Sequence, residues 1–214
     1  MLEGADLVKM AVALFVIADP FGAVPIFVTL TARHTPAERA RIALIAAGTA
    51  VTLLTLTVFA GGAVLTTFGI SIASFRVVGG ILFLLIAFEM LNVRQSRTRH
   101  TPEEESEAGQ RHEIGFVPLG IPLLAGPGAI STVLLMSAQA PEPAGKAMVL
   151  GVIFGVMFTI YVLLRLAVPI AALLGRTGTN IMTRLMGLVT GAIGVEMLAA
   201  GVKALFPGLG PPPA

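Results

Sequence analysis

Asp19 is the acidic residue near the middle of the chain's first long apolar stretch, where it opens the cluster Asp19-Pro20-Phe21-Gly22. An unpaired carboxylate at that depth is costly, so something must compensate it. With Pro20 at a first helical position, Asp19 can serve as the N-cap of a second half-helix running from about Phe21 to Thr31. It can also meet a cation or the ammonium group of a substrate, and the two uses are compatible. A second cluster, Gly126-Pro127-Gly128, follows 107 residues later (126 − 19), half the length of the 214-residue chain. It too interrupts a helix, but it brings no side chain that can cap. The free N–H groups and positive dipole end of the half-helix that follows are then open to an anion such as a carboxylate. Ser131 and Thr132, about one turn further on, offer hydroxyls, unless these bond back to the helix's own carbonyls. A purely steric use of the glycines, to let backbones approach closely, stays open as well.

The elements that must position these residues are membrane helices. The chain is 56% hydrophobic and 12% charged, with a mean hydropathy of +0.92, which is too apolar for a soluble domain of this length. A hydrocarbon core of roughly 30 Å takes about 20 apolar residues per helix. Six segments qualify, near 6–30, 41–67, 71–91, 116–138, 147–173 and 182–205. They are long and continuously apolar, unlike the short period-two runs of an outer-membrane barrel, so six α-helices are expected. Both clusters fall near the middle of a segment, the first and the fourth. A break at membrane depth is tolerated only where it faces protein or a water-filled cavity. Broken segments at corresponding places in two halves point to a transporter's midplane site.

The halves correspond in a further respect. Arg76-Val77-Val78-Gly79 followed by Glu89-Met90-Leu91 recurs as Arg184-Leu185-Met186-Gly187 followed by Glu196-Met197-Leu198. Three helices per half is an odd number, so the second half must enter the membrane from the opposite face. The expected fold is an all-α polytopic membrane protein of two inverted three-helix repeats with helices 1 and 4 broken. The first repeat spans 1–91, a charged loop 92–115, the second repeat 116–207 and a disordered Pro-rich tail 208–214. Inversion sets Arg76 beside Glu196 and Arg184 beside Glu89, and two structural ion pairs are expected there because charges within a membrane find partners. Arg165 and the arginines near helix ends can instead snorkel to the interface. Arg33, Arg39, Arg41, Arg94, Arg97, Arg99, Arg111 and Arg176 gather on one side, which places the loop in the cytoplasm and both termini outside. No cleaved signal peptide is expected, since Glu3 and Asp6 stand where a basic region belongs.

Other chemistries find no support in the residues. The chain has no cysteine, which excludes disulfides, thiolate metal sites and a Cys nucleophile. His34, His100 and His112 are scattered in loops without metal-ligand spacing. No HExxH, GxSxG or paired catalytic Asp is present, so no enzyme, no cofactor and no metal are expected. The formal charge of +2 gives no reason to expect nucleic acid as a partner. Gly151-Val152-Ile153-Phe154-Gly155 and Gly187-Leu188-Val189-Thr190-Gly191 are GxxxG patterns, which mark close helix contacts.

The segments Asp19-Pro20-Phe21-Gly22-Ala23-Val24-Pro25-Ile26-Phe27 and Ile121-Pro122-Leu123-Leu124-Ala125-Gly126-Pro127-Gly128-Ala129-Ile130 resemble the two signature segments of the MarC family of bacterial membrane proteins. The resemblance extends over essentially the whole chain. It implies a multi-pass protein of the bacterial inner membrane, similar to SnatA-like transporters of small neutral amino acids of the glycine and alanine type. The expected function is secondary transport by alternating access, cation-coupled through H+ or Na+. Asp19, Pro20, Gly22, Gly126, Pro127, Gly128, Ser131 and Thr132 are the expected substrate-binding residues. An exporter of amino acids or metabolites on the same fold is the nearest alternative. A pore or a non-transporting scaffold is the alternative from another class. Substrate list, coupling ion, direction and oligomeric state are not fixed by the sequence.

Overall fold

The first apolar segment cannot run as one helix, because Asp19 adopts a left-handed conformation (φ 46°, ψ 63°) and Pro20 has no N–H to continue the ladder. In the computed structural model, which describes residues 4–92 and 124–209, α1 spans Gly4–Ala18 and α2 spans Pro20–Leu30. Together they make an apolar unit of 25 residues, Asp6–Leu30, long enough to cross a bilayer. The next helix, α3, starts at Pro36, earlier than hydropathy alone suggests, because Thr35 and Glu38 form a capping box around Pro36 at N1. It continues to Thr67 without a breaker and ends at Gly69, whose φ of +64° closes the turn. Ser71 then caps α4, Ile72–Leu91.

In the second half α5 spans Pro127–Gln139, α6 spans Pro143–Arg165 and α7 spans Ala167–Leu205, followed by a short 3-10 turn at Pro207–Leu209. α6 stops at Arg165 because Pro169 cannot donate to the Arg165 carbonyl. α7 comprises two arms joined at Gly175, which is non-helical (φ 60°, ψ −174°). The fifth expected segment therefore continues past the bend at Leu166 into the first arm, and the sixth occupies the second. Helix starts recur at one spacing: Pro20 and Pro127, Pro36 and Pro143 are both 107 residues apart (127 − 20, 143 − 36). The described residues form no strand, and five units among them are long and apolar enough to span a membrane: Asp6–Leu30, α3, α4, α6 and α7. The first part of the fourth expected segment, the charged loop and the last residues of the tail lie outside the described residues.

α4 and α7 share the most extensive helix pairing. They run antiparallel along a seam of small residues at seven-residue spacing, Ala73, Gly80 and Ala87 against Gly201, Gly194 and Gly187. A methyl group built on Gly80 would lie 2.7 Å from the Gly194 carbonyl oxygen, and one on Gly201 would lie 2.9 Å from that of Ala73. Such an approach of two backbones leaves no room for a side chain. Around this pair, α2 packs on α7 and α5 on α4, while α3 lies against α5 and α6 and α1 against α5 and α6. Leu14, Val24, Phe27, Leu54, Phe83, Leu124, Ile153 and Met157 fill the interior between them.

The seam also decides the fate of the two expected ion pairs. Neither Arg76–Glu196 nor Arg184–Glu89 is among the ion pairs that described residues make with one another; the one that is joins Asp6 to Lys9 at 3.8 Å. Glu196 and Glu89 each follow a seam residue by two positions, which turns them about 200° away from the facing helix. Glu196 and Arg184 are exposed, and Glu89, half-buried, has an interaction of its own. The two GxxxG patterns divide as well. A methyl on Gly187 would lie 2.9 Å from Met90 Cβ, whereas Gly151 and Gly155 have nothing within 4 Å and lie open on the outer face of α6.

Candidate functional site

The site is built on the two helix breaks. At the first, the Asp19 carboxylate Oδ1 accepts the Gly22 N–H at 3.1 Å, and Pro20 occupies the first helical position. The expected N-cap is thus present, with one local difference: the capping residue is left-handed instead of extended. Asp and Asn tolerate that region because a short polar side chain can bond locally. Gly22 is required by the same geometry, since a β-carbon there would run into the Asp19 carboxylate. The carboxylate is enclosed, Asp19 being 4% exposed. Its backbone N–H turns back to the Val16 carbonyl at 3.1 Å, which closes the end of α1.

At the second break, Gly126 is extended and α5 begins at Pro127 with no side-chain cap. The breaks adjoin each other. A methyl on Gly128 would lie 2.7 Å from Ile17 Cγ1, two residues ahead of Asp19, and 3.1 Å from Ile86 Cδ1 of α4. The N-terminal turn of α5 is therefore pressed against the end of α1, and only glycine permits it. The two hydroxyls behave differently. Thr132 Oγ1 bonds back to the Gly128 carbonyl at 2.8 Å, so its donor is committed to its own helix. Ser131, 8% exposed, makes no such bond and faces Gly79 of α4. Of the expected residues, Asp19, Pro20 and Gly22 form the first break and Gly126, Pro127 and Gly128 the second, with Gly128 packed on Ile17 and Ser131 facing Gly79. Arg76 and Glu89 lie on α4, and Arg184 and Glu196 on α7.

Two residues that sequence reasoning did not single out support the arrangement. Ser137 Oγ donates to the Val58 carbonyl at 2.9 Å in the interior, fastening the C-terminal end of α5 to α3. Arg39, read from sequence only as a charge on one side of the membrane, reaches the C-terminal end of α2. A hydroxyl in the last turn of a short half-helix was the available signal for the first, and a basic residue in the first turn after a short connection for the second.

The family model for MarC family integral membrane proteins matches residues 5–206, which takes in both breaks and, but for Gly4, all seven α-helices of the described residues. The chain belongs to the MarC family. Among relatives, a UPF0056 membrane protein of Buchnera aphidicola (subsp. Acyrthosiphon pisum) is 37% identical over 202 residues, 94% of each chain. The UPF0056 membrane protein YhcE of Escherichia coli is 36% identical over 208 residues, again 94% of each chain. The UPF0056 membrane protein YvbG of Bacillus subtilis is 36% identical over 202 residues, 94% of this chain and 96% of its own. No solved structure matches the chain. As a MarC family member the chain is an integral membrane protein, and its long apolar helices agree with that placement.

Proposed function

We propose that this MarC protein is a secondary transporter of small neutral amino acids, working by alternating access between two inverted three-helix repeats. The observation that carries the reading is the meeting of the two segments: Ile17, two residues before the enclosed Asp19, packs against Gly128 in the first turn of α5, which has no side-chain cap. A zwitterion offers the complement to both. Its carboxylate suits the free N–H groups and positive dipole end of α5, with Ser131 as a neighbouring donor. Its ammonium group, or a coupling H+ or Na+, suits Asp19. The preference for the glycine and alanine type rests on the resemblance of the two signature segments to those of SnatA-like transporters.

The repeat is supported by helix starts that recur at one spacing and by the left-handed glycines Gly69 and Gly175 ahead of the third helix of each half. With three helices per half the repeats must be inverted, and the arginine bias puts both termini outside and the 92–115 loop in the cytoplasm. The inner membrane is the proposed location, because helices satisfying their own backbone belong to that bilayer and barrels to the outer one. Among the described residues no catalytic constellation accompanies the breaks, and the reading proposed is of a carrier.

Reconstitution into proteoliposomes with radiolabelled glycine or alanine, under imposed proton and sodium gradients, tests the proposal. Saturable uptake that shows counterflow and responds to one gradient is the expected result. Flux without saturation would mean a pore, and no flux for either substrate would return the protein to the scaffold reading. Net movement outward under the physiological gradient would make it an exporter.

A further inference from the structure

Arg39 lies in the first turn of α3 and reaches back across the connection from α2. Its Nε donates to the Thr31 carbonyl at 3.1 Å and its Nη2 to the Ala32 carbonyl at 3.3 Å. These carbonyls belong to the C-cap of α2 and the residue after it, just past the helix end that carries partial negative charge. A planar guanidinium can serve two neighbouring carbonyls at once, in a fixed geometry that an ammonium group does not reproduce. The Thr31 carbonyl also accepts the His34 N–H at 2.9 Å, and the Thr35–Glu38 capping box fixes the same turn from the α3 side. Thr31 itself is fully buried.

The second half does not repeat this arrangement. Lys146, 107 residues after Arg39 (146 − 39) and likewise in a first helical turn, places its ammonium over the Phe59 ring of α3 at 5.7 Å. The half-helix α5 is instead held by the Ser137–Val58 bond, which also ends on α3. α3 therefore holds α5 directly through Ser137 and the turn that follows α2 through Arg39, while α2 itself packs on α7.

We infer that Arg39 is a positioning residue: it clamps the turn that joins α2 to α3 and so holds the two helices at one relative angle. The consequence for transport rests on the carrier reading above; the mechanical coupling does not. Because the chain has no cysteine, Thr29→Cys on α2 and Leu44→Cys on α3, both exposed positions, can be spin-labelled in the full-length protein. Pulsed electron resonance should give a narrow interlabel distance distribution with Arg39 present and a clearly broader one in both Arg39→Gln and Arg39→Lys. The lysine variant keeps the charge that governs insertion and removes only the fork. A distribution that superimposes on the parent in either variant would overturn the clamp. In proteoliposomes the same variants should lose about tenfold in maximal uptake rate, the scale of a lost charge-assisted contact, while the half-saturation concentration moves far less. A rise in half-saturation at unchanged maximal rate would assign Arg39 to substrate binding and defeat the inference. Absence of uptake in the parent would remove the carrier reading while leaving the distance measurement to decide the clamp.

Discussion

Capping and ligand binding make separate demands on Asp19, and substitution can tell them apart. Asn accepts the Gly22 N–H nearly as well as Asp, and it tolerates the left-handed conformation equally. Asp19→Asn should therefore keep thermal stability in detergent close to that of the parent while abolishing or strongly reducing uptake. Asp19→Ala should lose both, with roughly 0.5–2 kcal/mol of the stability loss due to the missing cap. Wild-type transport by Asp19→Asn would make the carboxylate structural. Gly22→Ala acts on the same bond from the other side: its methyl collides with the carboxylate that caps α2. It should lower the melting temperature by an amount comparable to Asp19→Ala, and a stability equal to the parent would mean that the cap is not worth what its burial suggests. The cap was legible in the sequence because Asp followed by Pro fits the last non-helical and first helical positions. The left-handed backbone was not, because Asp takes either conformation and only the tertiary path of α1 chooses between them. Nor did residue type separate Ser131 from Thr132; the rotamer that commits Thr132 to the Gly128 carbonyl decides that.

Among the helices, glycine marks two different situations that a GxxxG pattern cannot distinguish. On α7 the glycines face α4 backbone, so Gly194→Leu or Gly80→Leu should destabilise by more than the ~1–3 kcal/mol typical of overpacking, since rigid main chain and not a flexible side chain stands in the way. On α6, Gly155 has open space, so Gly155→Ala should be neutral or stabilising by up to ~1 kcal/mol from helix propensity. Thermal unfolding of the purified variants checks both, and equal losses at Gly194 and Gly155 would contradict the seam. The same seam explains why the order of elements was readable and the ion pairs were not. Several helix starts follow from Pro20, Pro36, Pro127 and Pro143, which are local signals, whereas the described residues give five candidate spans where six apolar segments were expected. Which face of α4 meets α7 is settled by where small residues recur every seven positions, and that rotation carries Glu89 and Glu196 away from their expected partners. Matching Arg–Glu offsets in the two halves were therefore not a sign of contact.

At the scale of the whole molecule, orientation follows from arginine placement and is open to direct measurement. Reporter fusions at Glu105 should be active in the cytoplasm and fusions at the C-terminus in the periplasm; the reverse would overturn the orientation and leave the helix order intact. The length of α3 has a different kind of consequence. Its 32 residues make a rod of about 48 Å, and beyond Arg41 it carries no charged residue for some 26 positions, about 39 Å. A hydrocarbon layer of about 30 Å accommodates such a stretch by a tilt of roughly 40° or by thickening around the protein. Since α3 holds α5 and the turn after α2 and packs on α6, its tilt is where bilayer thickness would act on the rest of the protein. Reconstituted in lipids of graded acyl-chain length, the protein should show uptake and thermal stability that vary together, both highest in the longer chains. A response flat across the series would mean that α3 holds its angle against the surrounding lipid.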